Sequence, residues 1–302
     1  LVSGQKNIFN SYTVGFKDKK FDETGFAYAV AEHFNISNYS TFFEEKDFIK
    51  NAFNLCEYYD EPFGDISALP TMTLSSFASK YVNVALSADG GDEIFAGYEK
   101  YTTLMKLYGM FNKAPRFIQV CVLFLLVKLH NKRFIFLDRM YNFNTRLAKL
   151  LNIFTSKSIG HALSSISLYN TDNEVEDLLG ENFQIPATNF DSELDDIDDD
   201  IDKMLFIDCK TYLPDNILVK IDRASMAVSI EAREPLLDYR LVETVSSFPV
   251  NLKINKLSKK FILKRFVHSL IPSKLMERPK KGFGIPLDDL MRGNAKSDLF
   301  NT

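Results

Sequence analysis

The chain has 302 residues, 46% of them hydrophobic and 25% charged, a balance that suits one large globular domain or two modest ones. A net charge of −4 gives no global basic field, which excludes long-range attraction of nucleic acid or an anionic membrane to the molecule as a whole; any phosphate ligand has to be held locally. Cys56, Cys121 and Cys209 form no CxxC pair and have no His at metal-ligand spacing, so neither a disulfide framework nor a zinc site is indicated, and a reducing cytoplasm fits.

In chain order, "YTVGF" at 12–16 predicts a short strand, and "DETGFAYAVAEHF" predicts a helix with Asp22 at its N-cap. "ISNYSTFF" then reads as a strand and "DFIKNAFNLCEYY" as a helix. After the turn "DEPFGD" come a helix through "LPTMTLSSFASKY" and the strand "VNVALS". Strands alternating with helices imply a parallel sheet covered on both faces. Beyond Tyr101 the alternation stops and helices separated by prolines take over, so residues 1–101 read as an α/β part and 102–302 as a mainly helical part.

The most apolar run, "FIQVCVLFLLVKLH" at 117–130, falls short of the about 20 apolar residues that a bilayer span needs, and Lys128 interrupts it. It reads as a buried helix, with an interfacial membrane segment as the alternative. Further on, eight acids lie between Asp191 and Asp202, while Leu194, Ile197, Ile201 and Leu205 recur at helical spacing. This is the pattern of a solvated helix start rather than a cation site, since acids near a helix N-terminus are favourable with its dipole.

Three stretches could carry chemistry. "VALSADGGDEIFAGYEKY" at 84–101 places glycines and acids beyond the carboxyl end of a strand, where α/β sheets collect ligands. Amides and carboxylates together suit a phosphate that arrives with Mg²⁺; alternatively, Asp89 and Asp92 only cap the helix "EIFAGYEKY". "LPDNILVKIDRASMAVSIEAREPLLDYRLVE" at 213–243 predicts a helix from Asn216 to Val228 with Lys220, Asp222 and Arg223 among apolar neighbours, either a structural ion network or a catalytic one. "RPKKGFGIPL" at 278–287 offers lysines before a glycine loop, fit for phosphate or simply solvated.

Taken together, and with "YDEPFGDISALPT" at 59–71, these stretches resemble the synthetase domain of glutamine-dependent asparagine synthetases over nearly the whole chain. The resemblance implies an α/β fold with a parallel sheet of the adenine nucleotide alpha hydrolase-like (PP-loop) type followed by helices. It implies MgATP-dependent activation of the aspartate side chain as a β-aspartyl-adenylate, then attack by ammonia released from glutamine in a separate N-terminal glutaminase domain. ATP and Mg²⁺ are the implied cofactors, with no nucleic acid and no membrane span, and a homodimer is left open. By position, Ser87 and Ala88 correspond to adenylate contacts at the strand end, Gly90 to close backbone approach there, and Val14 to a hydrophobic contact from the second strand. Asp92 matches the acid that helps hold Mg²⁺, and Asp89 the acid that deprotonates or orients ammonia. Lys280 matches the phosphate lysine, with Lys281 its competitor; Asp222 and Arg223 fall in the polar cluster facing the acid, and Lys220 is a third candidate support.

One departure stands out. The family's Ser-Gly-Gly-x-Asp-Ser pyrophosphate loop does not occur, and Ser3-Gly4 in "LVSGQK" is no substitute, so the chain is expected to be an inactive fragment whose first central strand and loop precede Leu1. Relatives that amidate another carboxylate, including β-lactam-forming ones and those acting on cell-surface polymers, are the competing enzymatic reading. A non-catalytic binding module that keeps the fold is the competing reading from a different class.

Overall fold

Asn10–Phe16 (β1) pairs in parallel with Ser37–Phe43 (β2), Val14 opposite Thr41, and the helix Thr24–Phe34 (α1) makes the crossover between them. The computed structural model describes residues 9–131, 143–168, 170, 172–180, 193–256, 258–276 and 285. Asp22 is not the N-cap: Glu23 occupies that position, and Asp22 accepts from the Thr24 amide at 3.3 Å and hydroxyl at 3.0 Å in a local turn. Glu45–Tyr58 (α2) starts from a reciprocal cap between Glu44 and Asp47 and runs into Ala68–Ala78 (α3). Asn51 ties these two helices by donating to the Leu69 carbonyl and the Thr73 hydroxyl, both at 2.8 Å.

The strand expected at 82–87 is Val84–Leu86 (β3). It is followed by Gly91–Ile94 (α4), Glu99–Lys113 (α5), Arg116–Asn131 (α6), Phe143–Thr155 (α7), Ile159–Ser167 (α8), Asp172–Leu179 (α9) and Asp200–Lys210 (α10). A π-helical turn, Leu213–Leu218, leads into Val219–Met226 (α11), so the helix expected over 216–228 changes pitch within its first turn. Then come Glu231–Arg233 (β4), Tyr239–Ser246 (α12), Val250–Lys253 (α13), Phe261–His268 (α14) and Ser273–Met276 (α15). β3 pairs in parallel with β4, Leu86 opposite Arg233. The described strands thus make two separate two-stranded parallel sheets, not one, because no described strand carries the hydrogen-bond ladder from β1 and β2 to β3 and β4.

The chain divides into two compact units: Leu1–Gly90, Leu213–Leu241 and Ile262–Thr302 in the first, Gly91–Tyr212 and Val242–Phe261 in the second. Val14, Phe16, Phe43, Phe48, Leu69 and Ile285 form a core cluster of the first. In the second, Tyr101, Leu104, Ile153, Leu163 and Met204 pack together, and the acid-rich stretch contributes Leu194, Ile201 and Leu205 to that core. α10 begins only at Asp200, capped by the Asp199 side chain accepting from the Ile201 amide at 2.7 Å, so most of those acids precede the helix instead of lying within it.

Two expectations about helices fail. The stretch "EIFAGYEKY" is broken: α4 ends at Ile94, Ala96 takes a left-handed φ of 55°, and α5 begins at Glu99. The Tyr98 hydroxyl braces the break by donating to Glu93 at 2.6 Å. α6, read from its composition as a buried helix, has no buried residue among its described side chains; Phe117 and Phe124 are each 69% exposed, because the side of it that packs among the described residues is the one facing α7.

The second unit also buries charge. Asp208, 3% exposed, accepts from Lys100 at 2.9 Å and from the Tyr101 hydroxyl, while Lys100 lies 4.7 Å from the centre of the Tyr212 ring. Burial, and then the Asp208 carboxylate, pushes the Tyr101 phenol far above its ordinary pKa, so this hydroxyl stays a donor at any physiological pH. Asp208→Ala leaves an ammonium and a phenol without their shared acceptor. We expect a loss of about 3–5 kcal/mol in unfolding free energy, read as a lower urea midpoint with an unchanged m value.

Candidate active site

In the first unit the carboxyl ends of β3 and β4 lie side by side. The Ser87 amide donates to the Arg233 carbonyl at 2.9 Å, which extends the parallel ladder one step beyond the strands. The two residues that follow on each side, Asp89 after β3 and Glu234 after β4, are therefore delivered to the same end of the sheet. Ser87 Oγ donates to Asp89 Oδ2 at 2.5 Å and fixes that carboxylate. Gly90 makes the turn possible: its φ is +83°, and a Cβ there would sit 2.2 Å from Leu237 Cδ2. Ala88 is exposed at the strand end.

A cavity of about 380 Å³ lies against this sheet end, lined by Pro214, Leu218, Val219 and Ile221 on one side and by Asp222, Arg223, Ala232 and Glu234. Glu234 was not among the residues singled out from the sequence. Its carboxyl is pushed up by burial first, then by the negative charges of Asp89 and Asp222, and its Oε1 is buried without a hydrogen-bond partner among the described residues. The signal was present in "EAREP": an acid at the end of a short strand before a proline, the same position that drew attention to Asp89.

The segment "YDEPFGDIS" is held against α11 by ions. Asp65 accepts from Lys220 Nζ at 3.1 Å, Asn216 Nδ2 at 3.1 Å, the Ser67 amide at 2.9 Å and Ser67 Oγ at 2.7 Å. Burial acts to raise the Asp65 carboxyl, but the Lys220 ammonium and the Ser67 donors outweigh it and hold the group below its ordinary value. Arg223 pairs with the exposed Asp60, and Tyr59 donates from its hydroxyl to the Lys220 carbonyl at 3.0 Å. Lys220 thus serves the Asp65 anchor, while Asp222 and Arg223 line the cavity.

Asp92 belongs to the second unit. There it pairs with Lys260 at 3.1 Å, and a Cβ on Gly97 would fall 1.8 Å from Asp92 Oδ1, so only glycine leaves room for this arrangement. Among the described residues no group of three or more His, Cys, Asp or Glu side chains is disposed to hold a metal ion. Val14 is 4% exposed and packs among Phe16, Phe43, Phe48 and Leu69. Lys280 and Lys281 lie outside the described residues.

Two substitutions test these electrostatics. In Lys220→Met, Asp65 keeps its burial and loses its cation, so stability should fall by about 2–4 kcal/mol at neutral pH. Asp65, with its lowered pKa, stabilises the fold above its unfolded value of 3.8 and loses that contribution as pH falls through the folded value, so the gap from wild type should narrow in acid. Glu234→Gln should act in the opposite sense. A raised carboxyl favours the fold below its unfolded value of 4.5 and loses that contribution as pH rises through the folded one. The glutamine variant should therefore melt about 1–3 °C higher at neutral pH, allowing for partial solvent screening, with the gain vanishing in acid.

The family model described as asparagine synthase matches residues 2–301 of the chain. Asparagine synthetase (glutamine-hydrolyzing) 1 of Bacillus subtilis is 26% identical over 299 residues, covering 95% of this chain and 44% of the relative. Asparagine synthetase (glutamine-hydrolyzing) 3 of the same organism is 35% identical over 68 residues, 22% of this chain and 11% of the relative. The chain spans less than half the length of the first of these. With the match running through both β-strand ends and the cavity helix, the chain belongs to the asparagine synthase family.

Proposed function

We propose that this chain is the synthetase portion of an ATP-dependent amide-forming ligase that converts aspartate to asparagine, with ammonia taken from glutamine hydrolysed by an N-terminal glutaminase domain outside these residues. The observation that carries this reading is the family match across residues 2–301. The relatives' printed names, asparagine synthetase and glutamine-hydrolyzing, support asparagine as the product and glutamine as the nitrogen source. The two parallel strand pairs and their helices are consistent with the PP-loop fold type, and we assign residues 1–101 to its nucleotide-binding part and 102–302 to a mainly helical part of one domain.

A carboxylate is a poor acyl donor, so its oxygen first attacks the α-phosphorus of ATP and pyrophosphate departs. The lone pair of ammonia then attacks the activated carbonyl, AMP leaves with the bonding electrons, and the surplus proton needs an acceptor. Asp89, fixed by Ser87 Oγ at the end of β3, is the acceptor we assign. Asp222 and Glu234 add negative charge beside it, which favours a cationic guest such as ammonium or the α-ammonium of the amino-acid substrate. We assign Ser87, Ala88 and Gly90 to adenylate contacts at the strand end, Val14 to a hydrophobic contact from the second strand, Asp222 and Arg223 to supporting the acid, and Lys280 to the phosphates. Asp92 is the carboxylate we assign to Mg²⁺. A single protein carboxylate would suit this ion, whose charge would offset that of the phosphates. No helix among the described residues is long and apolar enough to cross a membrane, and we place the reaction in the cytoplasm.

The test is an assay of the full-length gene product with ATP, Mg²⁺, aspartate and either glutamine or ammonia, following AMP, pyrophosphate and asparagine. Wild type should form all three in equal amounts. Asp89→Asn should lower kcat about 10²–10⁴-fold with both nitrogen sources while still binding ATP. Turnover of another carboxylate in place of aspartate would reject the substrate, and no AMP with any carboxylate would reject the ligase reading.

A further inference from the structure

α6 holds the longest apolar run in the sequence, and half of its circumference is uncovered. Phe117, Val120, Phe124 and Val127 are 69%, 60%, 69% and 46% exposed, with Ile118 and Leu125 beside them at 40% and 55%. On a 3.6-residue helix these six fall on one continuous arc centred on the two phenylalanines, and the remaining half faces α7. Exposed apolar faces of this size on a folded unit mark a contact surface.

The charges around it are one-sided. From Lys100 to Asn131 the chain carries five lysines and arginines and no aspartate or glutamate, within a molecule of net charge −4. Lys100 is committed to Asp208. Lys106, Lys113, Arg116 and Lys128 are exposed; Arg116 opens α6, and Lys128 lies one turn beyond Phe124 on the same face, where a long side chain can lift its ammonium to a polar boundary. Gln119 is not available to a partner, because its amide donates to the Phe111 and Ala114 carbonyls at 3.1 and 2.9 Å and joins α6 to the end of α5.

We infer that this face rests on an anionic lipid surface, with α6 lying in the plane of the interface and Phe117 and Phe124 sunk among the acyl chains. The complementarity selects this occupant. A two-fold contact between copies through the same face would bring Arg116 and Lys128 of each against those of the other, and α6 itself offers no acid to pair them. The exposed arc also carries no side-chain acceptor, whereas protein interfaces register their partners with roughly one hydrogen bond per 100–200 Å². A fluid layer of acyl chains beneath negative headgroups needs no such register. At 16 residues the helix is about 24 Å long, suited to lying on a bilayer and too short to span one.

Vesicle co-sedimentation of the full-length gene product tests this, using phosphatidylcholine alone and phosphatidylcholine mixed equally with phosphatidylglycerol. Wild type should pellet with the mixed vesicles and far less with the neutral ones, and added salt should release it. F117E/F124E and, separately, K113Q/R116Q/K128Q should each weaken binding about tenfold or more while melting as wild type does, since both sets lie on the surface. Absence of pelleting, or equal pelleting with both vesicles, overturns the inference. So does a wild-type dimer that F117E/F124E converts to monomer, or a stoichiometric protein partner that the same variant releases without any change in vesicle binding.

Discussion

The short parallel ladder between β3 and β4 joins segments nearly 150 positions apart and sets where Asp89 and Glu234 come to rest. Parallel strands end in the same direction, so the ladder brings the loop after Leu86 and the loop after Arg233 to one place, and the Ser87 amide secures it by reaching the Arg233 carbonyl. Asp89 and Glu234 meet because of backbone geometry alone. A one-residue slip in register would separate them and turn alternate side chains to the opposite face.

That meeting is electrostatically costly, and the surrounding structure divides its carboxylates into two kinds. Asp65 is given Lys220 and the Ser67 donors, and its negative charge is satisfied. Glu234 faces Asp89 and Asp222, and its carboxyl is pushed toward the neutral form. A fold built only for stability gains nothing from the second arrangement, which is the kind found where a cation or a proton is to be received. Asp65 and Asp60 instead clamp "YDEPFGDIS" to α11, so the charges on that helix are split between holding the wall of the cavity and lining it.

The second unit shows a parallel division between buried and presented surface. Its interior buries charge in dense pairs at Asp208 with Lys100 and Tyr101, and at Lys253, 2% exposed, with Asp202 at 2.7 Å. Burial pushes the Cys209 thiol up to about 12, so it packs as an inert apolar group. Against that well-packed interior, α6 is the exception. It spends its hydrophobicity on the outside, which is why an apolar run that reads as core is better understood as a surface for another phase.

Much was legible in the chain itself. Apolar alternation located β1, β2 and β3 to within two residues, and glycine with acids beyond a run of strand formers marked 84–92 as a strand-end loop. These are local properties, set by side-chain period and by which residues tolerate a turn, and "ALSADGGDEIFAGYEKY" with its companion stretches carried the family resemblance without any coordinates. Tertiary structure decided what depends on distant partners. The break at Ala96, the change of pitch before Val219 and the exposure of Phe117 and Phe124 follow from which neighbours each segment meets, and no local pattern encodes them. Glu234 shows the limit most sharply. Its sequence context makes it one acid among many, and only the parallel register with β3 turns it into the neighbour of Asp89 and Asp222, because charge interactions depend on separation in space and not on position along the chain.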